Sequence, residues 1–307
     1  MATELNDRLN KLFCPKTVAV IGAGAEPDKV GYAIMDSLVT GGFPGKIFPV
    51  HPRHESILGY QVFRNLKDLP DVPDLAVVAL NQHSSVETVA QLSQMGVKGA
   101  VVLAGGYAEM GSTGMSLQQK LRLAAGDMPV IGPNTLGFLN ANAKLNVTFY
   151  PRVLNPGNVS FLSQSGGIGL AIKAKADDEG LGLAKWIGVG NRVNLEFHDL
   201  LEYLKQDPET KVIGLFTEGS SNPRALVKTL ESIIPCKPVV IYKGGKGDKA
   251  DSVTVTHTGA VAGPDRIWQG ALRQVGAHVV NSASEMVTVC KALSIGRIPR
   301  GNRVAIF

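Results

Sequence analysis

Thr17-Val18-Ala19-Val20-Ile21-Gly22-Ala23-Gly24-Ala25-Glu26-Pro27 decides the fold, because a β-branched apolar run stops abruptly at two closely spaced glycines. The pattern predicts a buried strand that bends sharply into a helix, with a backbone open enough to approach a diphosphate at the helix N-terminus. The loop departs from the GxGxxG fingerprint, since position 27 is proline and the next glycine is Gly31. Working outward, Lys46–Val50, Leu75–Ala79, Gly99–Leu103 and Met128–Ile131 read as further strands with amphipathic stretches between most of them. Such alternation implies a parallel sheet with right-handed crossovers. A mixed stretch with two prolines, 141–156, follows, and the alternation then restarts with Asn158–Leu162, Ala184–Val189, Lys211–Phe216, Pro238–Tyr242 and Ala277–Val280. The expected fold class is α/β with two doubly wound parallel-sheet domains, 1–140 and 141–297. In 298–307, Arg303–Phe307 reads as a strand opening after the turn Pro299-Arg300-Gly301-Asn302, which predicts the start of a third, truncated domain.

The composition fits this division. A chain of 307 residues suits two cores better than one. With 44% apolar and 19% charged residues, and 35 glycines placed singly or in short clusters, it is globular. The net charge of +5 is scattered rather than gathered into basic blocks with interleaved aromatics, which argues against nucleic acid and for small phosphorylated ligands. Cys14, Cys236 and Cys290 are odd in number and far apart, so neither a disulfide framework nor a metal site is expected, and a reducing cytoplasm is. No signal peptide and no apolar run of membrane-spanning length is present, so no membrane role is expected.

Ligands of doubly wound sheets bind beyond the carboxyl ends of the strands. The second strand ends in Pro49-Val50-His51-Pro52-Arg53, without the acid that usually holds a nicotinamide cofactor's ribose. A phosphorylated ribose matches better: Arg53, with His51, would neutralise a 3′-phosphate such as that of coenzyme A. The alternative is an exposed surface arginine. Two further loops are glycine-rich: Ala104-Gly105-Gly106-Tyr107-Ala108-Glu109 and Ile131-Gly132-Pro133-Asn134-Thr135-Leu136-Gly137. They either admit a ligand, with Asn134 donating to a pantetheine amide or acyl oxygen, or are only left-handed turns closing the connections.

In the second half, Ser163-Gln164-Ser165-Gly166-Gly167-Ile168-Gly169 precedes a helical stretch. Hydroxyls, glycines and a helix dipole there make a cradle for one phosphoryl group, although the lysine of a Walker loop is missing. The sharpest feature is Thr254-Val255-Thr256-His257-Thr258-Gly259-Ala260-Val261-Ala262-Gly263. An isolated loop histidine is more often structural than catalytic, but here small and hydroxyl neighbours leave room for an incoming phosphate. A neutral imidazole is a competent phosphorus nucleophile near neutral pH, and a carboxylate on its other N–H fixes the tautomer. Glu218, in Phe216-Thr217-Glu218-Gly219, is the candidate partner; His54, His83, His198 and His278 are read as structural.

Taken in order, the GxG loop, IGPNTLG at 131–137, SQSGG at 163–167, FTEG at 216–219 and THTGAVAG at 256–263 resemble the NDP-forming acyl-CoA synthetases. That family includes the succinyl-CoA synthetase α subunit and the ADP-forming acetyl-CoA synthetases. The resemblance implies a Rossmann-like CoA-binding domain followed by a flavodoxin-like succinyl-CoA-synthetase-type domain. His257 would be the phosphorylated histidine and Glu218 its stabilising carboxylate. Ser165, Gly166 and Gly167 would receive the phosphate, and Gly22, Gly24, Gly106 and Asn134 would surround CoA. It also implies a small carboxylic acid as co-substrate, and Mg²⁺ with ATP or ADP on an ATP-grasp domain or β-type subunit, within an oligomeric assembly. Thr135, where succinyl-CoA synthetases have cysteine, and Gly190-Asn191 in place of GGD point to the acetate-type or broader acyl branch.

Two rivals remain at this level. One is a CoA-binding sensor module of the kind carried by protein acetyltransferases, from which the histidine has been lost; His257 beside Glu218 argues against it. The other is a nicotinamide-dependent oxidoreductase, which explains the Gly22/Gly24 loop and leaves the THTGAVAG segment without a role.

Overall fold

The computed structural model describes residues 2–150, 154–245 and 265–296, together with Gly301, Arg303 and Ala305. The loop carrying His257 therefore lies outside the described residues, as does most of the expected terminal strand. The chain opens with helix α1 (Ala2–Phe13), whose Leu9, Leu12 and Phe13 are buried.

Next come β1 (Thr17–Ile21), α2 (Val30–Thr40), β2 (Lys46–Val50), the short hairpin β3 (Ser56–Ile57) and β4 (Tyr60–Gln61), and β5 (Leu75–Val78). Then follow α3 (Gln82–Gln94), β6 (Gly99–Val102), α4 (Ser112–Ala125) and β7 (Val130–Ile131). The five longer-range strands pair in the order β2-β1-β5-β6-β7, all parallel. Every residue of β5 and β6 is buried, as expected of strands covered by helices on both faces. The last strand is shorter than the sequence pattern suggests. Pro129 has no N–H to donate, and it contributes only its carbonyl, to Ala100 N–H at 2.9 Å.

The second sheet is built from β8 (Phe138–Asn140), β9 (Leu145–Asn146), β10 (Pro156–Ser163), β11 (Leu183–Gly188), β12 (Val212–Thr217), β13 (Val239–Lys243) and β14 (His278–Val280). Helices α5 (Gly166–Asp178), α6 (Phe197–Gln206), α7 (Pro223–Ile233), α8 (Asp265–Gln274) and α9 (Ala283–Ile295) intervene. Its order is β14-β13-β12-β10-β11-β8-β9. Strands β10 to β14 are mutually parallel, whereas β8 and β9 join antiparallel at the edge. Both doubly wound sheets expected from the alternation are present. The antiparallel edge occupies 138–146, so β9 lies inside the mixed stretch 141–156 and β8 just before it. Strands of three and two residues carry too little periodicity to be read from sequence.

The parallel runs of the two sheets share one connectivity: β1 lies between β2 and β5, and β10 between β11 and β12, so the chain reverses direction across the sheet beside β1 and beside β10. A crevice opens at that reversal, beyond the carboxyl ends. The two units share a core. Phe13 meets the rings of Phe138 and Tyr203, each at 4.9 Å, and Asn140 Nδ2 donates to the Phe13 carbonyl at 3.1 Å. Helix α1 thus cements the first sheet to the edge of the second, and one cluster of buried side chains runs from Leu9 and Val20 to Leu204 and Leu230.

Candidate functional site

The first crevice is shaped by glycines that nothing larger can replace. Gly22 has φ +82°, and a Cβ there would lie 2.5 Å from the Ala79 carbonyl oxygen at the end of β5. A Cβ on Gly31 would come within 1.9 Å of the Gly22 oxygen, so the first turn of α2 rests directly on the loop. Lys29, the N-cap of α2, makes no side-chain cap, which leaves the first-turn N–H groups and the positive end of the dipole to an anion. Gly24 is buried in the same loop, facing Lys29 and Tyr32.

Across from this loop, beyond β2, His51 and His54 stack at 4.2 Å, and exposed Arg53 donates its backbone N–H to His51 Nδ1 at 3.3 Å. Burial pushes the His51 pKa below its ordinary value, helped by neighbouring His54 and Arg53 and opposed by Glu26 of the glycine loop. The neutral imidazole is therefore favoured, and an incoming phosphate would favour its protonation. The ends of β1 and β2 together fit a phosphorylated adenosine of the CoA type: a glycine cradle, an uncapped helix start and a basic rim.

Farther along the same edge, Gly106 and Asn134 are brought together through a carboxylate. Glu109 Oε1 accepts from Gly106 N–H at 2.6 Å and Tyr107 N–H at 3.2 Å, and its Oε2 accepts from Asn191 Nδ2 at 2.5 Å. Asn134 donates to Asn191 Oδ1 at 3.3 Å, and its own N–H reaches the Ala104 carbonyl at 2.7 Å. Burial alone would raise the Glu109 carboxyl, but the N–H donors of Asn191, Gly106 and Tyr107 outweigh it and hold it below the usual carboxylate range. Tyr107 beneath is fully buried, gives its hydroxyl to the Gln82 carbonyl at 2.9 Å, and has a pKa pushed up to about 12 by burial. Asn191 comes from the loop after β11, so this network ties the first domain to the second. Glu109 and Asn191 received no role from the sequence reading, although both fall inside stretches it singled out. Their partnership spans 82 residues, and no local pattern reveals it.

The second crevice lies at the ends of β10 and β12, which run side by side with Ser163 paired to Phe216. Ser165 caps α5, its oxygen accepting from Ile168 N–H at 3.4 Å. Around Gly167 a Cβ would meet nothing within 4 Å, so the helix start is open, while Gly166 packs near Leu136 Cγ. Glu218 follows β12, half-buried, and a Cβ on Gly244 would lie 3.3 Å from its Cγ. The described chain leaves this edge at Gly245 and resumes at Asp265, with His257 between. Glu196 accepts from Arg192 Nε at 3.2 Å and Ser221 Oγ at 2.6 Å, joining the loops after β11 and β12 across the end of β10. Burial would raise the Glu196 carboxyl, but Arg192 and the Ser221 hydroxyl hold it low.

The two crevices are linked by residues 131–137. Asn134 belongs to the Glu109 network, buried Thr135 donates to the Gly188 carbonyl at 2.5 Å, and Leu136 touches the Gly166 position. Among the described residues no group of three or more His, Cys, Asp or Glu side chains is placed to hold a metal, and no helix is long and apolar enough to cross a membrane.

Comparison with known proteins gives the same pairing of domains. A family described as a CoA binding domain matches residues 16–141, and one described as a succinyl-CoA ligase like flavodoxin domain matches 156–293. The chain is 36% identical over 303 residues to acetate–CoA ligase [ADP-forming] II subunit alpha of Pyrococcus furiosus, covering 97% of this chain and 65% of that subunit. It is 33% identical over 301 residues to acetate–CoA ligase [ADP-forming] of Methanocaldococcus jannaschii, covering 97% of this chain but 42% of that protein. Among solved structures, the dinucleotide forming acetyl-coenzyme A synthetase 1 of Ca. Korarchaeum cryptofilum, in complex with phosphate and ADP, superposes with a TM-score of 0.92 at 34% identity. That match covers 96% of this chain and 64% of the other. The chain thus spans less than two thirds of the length of these relatives. With a CoA-binding domain and a succinyl-CoA-ligase-like domain in tandem over almost its whole length, and relatives of one kind, the chain belongs to the NDP-forming acyl-CoA synthetase superfamily.

Proposed function

We propose that this chain is the CoA-binding and phosphohistidine portion of an acid–thiol ligase that interconverts acid, CoA and NTP with acyl-CoA, NDP and phosphate. Residues 1–140 hold CoA and residues 141–297 carry the phosphoryl group. One observation carries the reading: the segment 131–137 reaches both crevices, so the thiol end of a CoA laid along the first is delivered beside the phosphate cradle of the second. The ADP-forming acetate–CoA ligases among its relatives support the acetate-type branch.

In this scheme Gly22 and Gly24 admit the diphosphate to the start of α2, Arg53 takes the 3′-phosphate, and Gly106 and Asn134 line the pantetheine arm. An acyl group passes from sulfur to phosphate in the second crevice, where the Ser165–Gly167 helix start neutralises the growing charge. His257 then takes the phosphoryl group, with Glu218 holding its other ring N–H, and releases the carboxylic acid. Splitting the reaction makes positioning and charge neutralisation the main demands on the protein. Mg²⁺ and ATP or ADP belong to an ATP-grasp domain or β-type subunit, which exchanges the phosphoryl group with His257, in a cytoplasmic oligomer.

Reconstitution tests this. With an ATP-grasp partner, Mg²⁺, ATP, acetate and CoA, the chain is expected to form acetyl-CoA, and without the partner to form none. In the same assay Arg53→Ala should raise the KM for CoA about tenfold, the worth of one charge-assisted contact, while leaving that for dephospho-CoA nearly unchanged. An equal loss for both would remove Arg53 from the 3′-phosphate.

A further inference from the structure

The phosphate cradle holds a buried donor that no step above uses. Gln164 sits between Ser163, the last residue of β10, and the cap Ser165, and is 6% exposed. Its Oε1 accepts from the backbone N–H groups of Glu218 at 2.8 Å and Gly219 at 3.3 Å, with Thr217 Oγ1 also 3.3 Å away. Those donors fix the amide's orientation, because the flipped amide would press its NH₂ against two N–H groups. Nε2 therefore faces the other way. It is shielded from solvent and has no hydrogen-bond partner among the described residues. Buried amide donors without an acceptor are uncommon in folded proteins and call for a reason.

We propose that Gln164 is the side-chain donor to the phosphoryl group at this site: Oε1 sets the turn that presents Glu218, and Nε2 donates to a phosphoryl oxygen as the group moves to or from His257. This deepens the phosphohistidine reading and rests on it. Ser165 Oγ beside it accepts from Ile168 N–H and keeps its own O–H, so the amide adds a side-chain N–H to the hydroxyl already there. In the transfer the lone pair of a ring nitrogen of His257 forms the N–P bond and the acyl P–O bond breaks. The carboxylate leaves with that electron pair, and the second ring nitrogen keeps its proton against Glu218. Gln164 loses no proton. A neutral donor stabilises the charge passing through the transition state without the deep binding that a buried cation would give the phosphorylated ground state.

The full chain, incubated with acetyl phosphate, reports the rate at which acid-labile phosphate appears on His257 by intact mass and peptide mapping. Gln164→Glu keeps an acceptor for the Glu218 turn and loses the donor. It is expected to slow labelling by about 10²-fold, in the range found for loss of one oxyanion donor, with CoA affinity unchanged. Gln164→Met, of similar length with neither acceptor nor donor, is expected to be at least as slow. Wild-type labelling rates in either folded variant overturn the proposal, and so does a slow variant whose CoA affinity and melting fall in parallel, because that marks a structural role. If the wild-type chain itself takes up no phosphate, the phosphohistidine reading fails and this inference falls with it. If the wild type labels and Gln164→Glu labels as fast, this inference alone fails.

Discussion

Acyl-CoA formation by the reconstituted enzyme is expected to fall by about 10⁴-fold or more in His257→Ala, on the scale seen when a covalent nucleophile is removed. CoA affinity should stay within about twofold, because in this scheme the charge-assisted contacts to CoA come from the first domain and His257 meets only the phosphoryl group. The residues proposed for CoA lie at the edge of the first sheet, at Gly22, Gly24 and Arg53, whereas His257 belongs to the connection between β13 and α8 of the second. The measurement is a pair: turnover with saturating CoA, and CoA binding by calorimetry on the same preparation. A variant that loses CoA binding along with turnover would mark the 246–264 segment as structural.

The largest expected effect on stability lies away from both crevices. Lys185, in the middle of β11, has a side chain with no exposure, and its Nζ donates to Asp207 Oδ2 at 2.7 Å and Glu209 Oε2 at 3.2 Å. Asp207 also accepts from Thr210 Oγ1 at 2.5 Å, and its carbonyl takes Lys237 Nζ at 2.6 Å. A buried ion pair adds little net stability against an apolar substitute, but removing one partner strands the other charge in the interior. Asp207→Ala is therefore expected to cost about 3–5 kcal/mol, read as a lower urea midpoint with an unchanged slope. The partly exposed Glu209 softens the loss. The double variant Lys185→Met/Asp207→Ala should recover much of it, since no unpaired charge remains. A loss below about 1 kcal/mol in the single variant would mean that water reaches Lys185 once the aspartate is gone.

Much of the scaffold was legible because its strands are buried on both faces. Leu75-Ala76-Val77-Val78 and Gly99-Ala100-Val101-Val102 are continuous apolar runs, and runs of that length between helical patterns have few other readings. Lys185 shows the limit: a lysine inside Ala184–Val189 carries no sign in the sequence that Asp207 and Glu209 will close over it. The short strands Leu145–Asn146 and Phe138–Asn140 leave no sign in the sequence because their partners lie across a turn or on β11, and so little chain has no measurable period. The glycine loops announced their crevices, since Gly22 and Gly31 meet backbone atoms where any Cβ would collide. Glu109, Asn191 and Gln164 did not announce themselves, because each works through a loop far away in sequence. His257 stands on sequence alone.

The most direct test of phosphoryl carriage is intact mass followed by peptide mapping of the wild-type chain, after incubation with acetyl phosphate or with ATP, Mg²⁺ and an ATP-grasp partner. A gain of one acid-labile phosphate mapped to His257, removed by adding ADP with the partner, is the predicted result. A chain that binds CoA beside a competent partner and yet gains no phosphate, or carries it on another residue, would contradict the central claim.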